Sequence, residues 1–129
     1  MNDREFIEAF ESCTLADFHH PDHVRLAFLY LKESSLLEAI ERFTTSLRNY
    51  AQSKGVPQLY HETITWAYLL LIHERMIDEE SFDAFRARNS DLFTWKPSVL
   101  DSYYSAERLW SDRARRVFVF PDQPRRLLA

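Results

Sequence analysis

Histidines stand at positions 19, 20, 23, 61 and 73 of this chain of 129 residues. Imidazole titrates near neutral pH and is the commonest side-chain metal ligand. His20 and His23 are three residues apart, a spacing that places both on one face of a helix. His61 opens a second helical segment, so three imidazoles are expected where two helix N-termini converge. Three protein ligands and one open position describe a catalytic zinc site. Two histidines and a carboxylate describe a non-haem iron site. His20, His23 and His61 are therefore the candidate metal ligands, with zinc and iron both open. Glu62 or Glu107 would be a fourth ligand or a general base, and Asp22 a further carboxylate, as ligand or to orient an imidazole. Zinc would activate water for hydrolysis, whereas iron would bring oxygen chemistry. The partial positive charge of a helix N-terminus opposes a cation but favours neutral imidazole, the ligand form. Against the metal stands a plainer reading, in which His20 and His61 cap helices or hold buried hydrogen bonds. Metal-free acid–base catalysis is a third. His19 and His73 read as surface residues, the latter beside Glu74 and Arg75.

Other side chains would orient a substrate. Thr65 lies four residues after His61, where its hydroxyl either meets a ligand or bonds back to the carbonyl four residues earlier. Tyr103, Tyr104 and Ser105 precede Glu107; the Tyr104 hydroxyl is a candidate catalytic group, with burial in the core as the alternative. Arg25 interrupts an apolar segment and needs a partner, either a substrate carboxylate or an internal acid. Arg115 is a similar case. Cys13 is the single cysteine, which excludes an intramolecular disulfide and a cysteine-rich zinc site. It reads as a buried residue without nucleophile context.

The elements that must carry these groups are helical. Hydrophobic residues make up 46% and charged residues 28%, the balance of a globular core with a solvated surface. Gly55 is the one glycine, so phosphate-cradling loops and dinucleotide turns are excluded. Apolar spacing predicts a helix over 3–12 carrying Phe6, Ile7 and Phe10, and an almost wholly apolar one from Pro21 to Glu33. A third, capped by Ser34 or Ser35, runs from Leu36 to Lys54 and ends at Gly55. The most apolar, Tyr60 to Ile77, belongs at the centre. Shorter helices are expected over Ser81–Ala87, Pro97–Tyr104 and from Ser105 to about Arg116. Val117–Phe120 is the one segment with a trace of strand character, and 121–129 an irregular tail. The expectation is an all-α fold: one helical domain over 1–129, a bundle of four main helices with shorter C-terminal ones.

Charge narrows the partners. The net charge is −4, which does not fit a general nucleic-acid binder. From Arg108 onward six arginines face Asp112 and Asp122, whereas residues 1–107 carry ten basic and eighteen acidic side chains. The basic end is expected either to pack on the acidic body or to dock an anionic partner. The N-terminus lacks a signal-peptide pattern and no apolar run is long enough to span a bilayer, so the expected location is cytoplasmic and away from membranes.

Phe18-His19-His20-Pro21-Asp22-His23-Val24-Arg25-Leu26-Ala27, then Tyr60-His61-Glu62-Thr63-Ile64-Thr65, then Tyr103-Tyr104-Ser105 together resemble a family of small uncharacterised bacterial proteins. Its pattern reads F-x-H-x-[DE]-H-[VL]-R-[LV]-A, Y-H-x-T-[IL]-T and YYS. The resemblance implies histidine at positions 20, 23 and 61 and carries no activity. Three functions follow as expectations. The first is a metal-dependent enzyme acting on a small molecule, with His20, His23 and His61 on the metal and Arg25, Thr65 and Tyr104 on the substrate; a homodimer is compatible with it. The second is a helical interaction module with structural histidines and an exposed apolar patch. The third is a bundle that holds haem or an organic ligand between its helices.

Overall fold

The computed structural model describes residues 1–123, and among them the fold is all-α with no strand. Four longer helices come first: α1 Asp3–Glu11, α2 His20–Glu33, α3 Leu36–Ser53 and α4 Glu62–Arg75. Three short ones follow: α5 Phe82–Arg88, α6 Ala106–Leu109 and α7 Asp112–Arg116. Turns of 3-10 helix lie at Pro57–Leu59, Ser90–Phe93 and Val99–Ser102.

Local chemistry sets the helix starts. Asn2 accepts from the Glu5 amide and Glu5 returns the bond to the Asn2 amide, both at 2.8 Å. Ser35 and Glu38 repeat this capping box on α3. Ser81, Ser105 and Ser111 cap α5, α6 and α7. The end of α3 is set by Gly55 at φ +76. The Gly55 amide donates to Gln52 at 3.0 Å and the Val56 amide to Ala51 at 2.9 Å, the two bonds of a Schellman motif. The same pair of bonds closes α1, from the Cys13 amide to Phe10 and from the Thr14 amide to Ala9, yet there the left-handed residue is Cys13, at φ +62.

Helix α2 packs against both α3 and α4, α1 packs on α3, and α7 covers α4. Phe10, Leu26, Phe28, Tyr30, Leu69 and Ile72 are sealed in the shared core. Helix α5 has seven residues, too few to be stable alone. Phe85 is 0% exposed against Phe28 at 5.0 Å. Burying one such ring is worth roughly 2 kcal/mol, and Phe82 beside it on Phe28 and Arg88 on Glu80 add to what holds α5 in place.

Four expectations need correction. The segment from Pro97 to Tyr104 is not an α-helix: a cis Lys96–Pro97 peptide precedes a 3-10 turn that Ser98 caps. The helix expected from Ser105 onward is two, broken where Ser111 begins a new cap. Helix α4 begins at Glu62, because His61 is its extended N-cap. Residues 117–120 form an extended strap rather than a strand. The Thr63 hydroxyl donates to the Val117 carbonyl at 2.9 Å and accepts from the Val119 amide at 3.2 Å. Trp66 stacks on Phe118 beneath the strap. The described part of the basic end packs on the body, α7 on α4, though no salt bridge joins Arg108–Arg116 to a carboxylate among the described residues. Arg125 and Arg126 lie outside the described residues. No helix among the described residues is long and apolar enough to cross a membrane.

Candidate functional site

The N-termini of α2 and α4 open onto one cavity of about 420 Å³. His20, His23, His61 and Thr65 all line it. Its floor and walls are aromatic and aliphatic: Phe18, Phe43, Leu47, Tyr50, Tyr60, Ile64 and Tyr68. The Schellman turn at the end of α3 adds Ala51 and Val56 to the wall. Leu59, Trp95 and Trp110 also line it while remaining 67%, 39% and 47% exposed, so they form its rim.

His61 is spent on structure. Its Nδ1 accepts the Ile64 amide at 3.1 Å, as a serine cap would, and its Nε2 donates to the Leu109 carbonyl at 2.7 Å. These two bonds fix the neutral tautomer and tie α4 to α6. Burial also lowers its pKa. The ring meets Trp110 edge-on at 5.3 Å. Thr65 donates to the His61 carbonyl at 2.7 Å, the back-bond expected of a mid-helix threonine, and still faces the cavity.

His20 Nε2 donates to the Leu92 carbonyl at 2.8 Å, which leaves Nδ1 as an acceptor. Desolvation lowers its pKa, partly offset by that bond. The ring stands 4.9 Å from Tyr68 and 5.1 Å from Trp95. His23 lies 4.4 Å from Phe18, with Phe43 at 6.1 Å and His20 at 6.5 Å. Burial, and to a lesser extent His20, bring its pKa down to about 3, so it is neutral near pH 7. Its ring nitrogens have no hydrogen-bond partner among the described residues. They are not sealed off either, because Trp66 Nε1 is the one fully enclosed side-chain nitrogen or oxygen there without a partner.

The remaining candidates lie elsewhere. Glu62 accepts from Arg48 at 3.0 Å and from the Tyr60 hydroxyl, outside the cavity lining. Glu107 is exposed on α6. Tyr104 is 3% exposed and donates to the Val119 carbonyl at 2.7 Å, a core tyrosine that anchors the strap. Arg25 pairs with Asp3 at 2.8 Å and lies over the Phe6 ring, the internal partner open from the sequence. Asp22 accepts the His19 amide at 3.0 Å at the start of α2. Arg115 lies over the Trp110 ring. His19 and His73 are exposed.

A three-histidine metal site does not fit this arrangement. His61 has no lone pair left to give, and no group of three or more His, Cys, Asp or Glu among the described residues is placed to hold an ion. The rim aromatics were missed from the sequence: Trp95 and Trp110 lie where no apolar period marks them. Comparison with models of known families, with curated proteins and with solved structures finds no match, so the site is read from its own chemistry.

Proposed function

We propose that the protein binds a small, largely apolar organic molecule in the cavity between α2, α3 and α4. The observation that carries this is a concave aromatic chamber of about 420 Å³ with very few polar groups left unpaired. Small-molecule sites have this form: mainly apolar walls, a few oriented polar groups and a volume of roughly 300–1,000 Å³. The Tyr50 hydroxyl donates to Leu15 and Tyr68 shares its hydroxyl bond with Ser98, so both rings turn apolar faces to the chamber. Leu59, Trp95 and Trp110 give the mouth an apolar lip that an incoming ligand covers.

The test is titration with N-phenyl-1-naphthylamine, a neutral probe that fluoresces when transferred from water to an apolar site. Saturable binding at one site per chain is expected. Ile64→Trp, which fills the chamber, should abolish it while far-UV circular dichroism still reports a helical fold. Absence of saturable binding to the parent protein, or equal binding by a folded Ile64→Trp variant, refutes this reading.

A further inference from the structure

The unpaired polar atoms define which molecule the cavity accepts. His20 Nδ1 is an acceptor by necessity, since Nε2 carries the proton given to Leu92. Thr65 has spent its hydroxyl proton on the His61 carbonyl, so only its oxygen lone pairs remain. His23 as a neutral ring offers one acceptor and one donor. Behind the rim, where the indole N–H groups of Trp95 and Trp110 and the Lys54 ammonium are the donors, acceptors therefore outnumber donors. Among the described lining residues Lys54 alone carries a full charge; it is exposed, with its ammonium over the Tyr50 ring at 5.3 Å. A carboxylate carried inside would lose its hydration without a buried cation to replace it. A carboxylate left at Lys54 would form an exposed pair, which gains little.

We propose that the cavity selects neutral, planar aromatic molecules bearing an O–H or N–H donor, the phenol class being the simplest, with His20 Nδ1 and His23 receiving that donor. The proposal rests on the cavity being a ligand site. The aromatic walls take the ring: Phe18 and Phe43 already flank His23, and Trp95 flanks His20. The low pKa of His23 keeps the ring uncharged near pH 7, so it accepts a proton donor without attracting an anion.

Three probes of matched ring separate the terms: 2-naphthol, naphthalene and 2-naphthoate, each measured by displacement of N-phenyl-1-naphthylamine. 2-Naphthol should bind about tenfold tighter than naphthalene, the effect of one good hydrogen bond. The preference is opposite in sign to hydrophobicity, since naphthalene is the more apolar. 2-Naphthoate should be the weakest. The ratio of 2-naphthol to naphthalene affinity should fall in His23→Phe and approach one when His20→Phe is added, each variant checked for helicity. If naphthalene binds as tightly as 2-naphthol, the cavity remains a ligand site and the donor selection is wrong. If 2-naphthoate binds tightest and Lys54→Met removes that preference, the ligand is an anion and the proposal is overturned. If none of the three displaces the probe, this inference falls; if the probe itself does not bind, the cavity reading falls with it.

Discussion

His61 shows how one side chain can imitate a ligand in sequence and be a cap in structure. An imidazole at an N-cap has a lone pair at Nδ1 and a proton at Nε2, so it satisfies an amide of its own helix and a carbonyl of another. Cys13 shows the reverse, a residue with no visible role in an unusual conformation. It occupies the left-handed position of a Schellman motif at φ +62, where an L side chain costs roughly 1 kcal/mol relative to glycine. Cys13→Gly should therefore raise stability by about 1 kcal/mol, less the extra freedom glycine gives the unfolded chain. Urea denaturation checks this, and a clear loss of stability would mean that the thiol's packing outweighs the backbone strain.

At the scale of elements, apolar packing joins the helices, and side chains that reach backbone groups tie down the segments between and after them. Thr63 is fully buried in α4 and holds both a carbonyl and an amide of the 117–120 strap. Tyr104 holds the same strap from the other side. Thr63→Val keeps the shape of the side chain but orphans the Val119 amide and the Val117 carbonyl. Leaving such groups unpaired costs about 1–3 kcal/mol, and the variant should lose about 2 kcal/mol in chemical denaturation. A change below measurement would show that the strap rehydrates freely. The Schellman turn after α3 has a different task. It reverses the chain so that Val56 and the Pro57–Leu59 turn close one side of the cavity.

For the molecule as a whole, neutral imidazoles enclosed around a cavity make the fold sensitive to acid. The unfolded chain binds a proton at His23 near pH 6.5, whereas the folded chain resists until about pH 3. His23 therefore contributes nothing against unfolding by proton uptake below pH 3, and its favourable contribution, complete above pH 6.5, is lost as pH falls between the two. His20 and His61 shift in the same direction. Carboxylates held low by their partners, Asp91 by Arg75 and Asp122 by Ser105, add to acid loss. Denaturation midpoints measured from pH 7 to pH 4 should fall more steeply for the parent than for His23→Phe. Parallel curves would mean that His23 protonates as easily in the fold as out of it.

Much of this was legible in the sequence, for physical reasons. The apolar period of α1 and α3, the Ser35 cap and the Gly55 stop are local, and local spacing fixes which face is buried. The same spacing picked out His20, His23, His61 and Thr65, which the fold brings to one cavity. It could not say what those atoms do. A histidine's role depends on which carbonyl or amide lies within about 3 Å, and the partners of His20 and His61 are Leu92 and Leu109, distant in the chain. Arg25 was read as needing a partner, but only packing supplied Asp3. The rim aromatics Trp95 and Trp110 sit in segments without periodicity, placed by long-range contacts. Sequence alone determined the four longer helices and the residues that share a face, but not the 3-10 turn after Pro97 or the break at Ser111. Tertiary structure decided which polar atoms were consumed and which remain to meet a ligand, because hydrogen bonds are paired across the fold rather than along the chain.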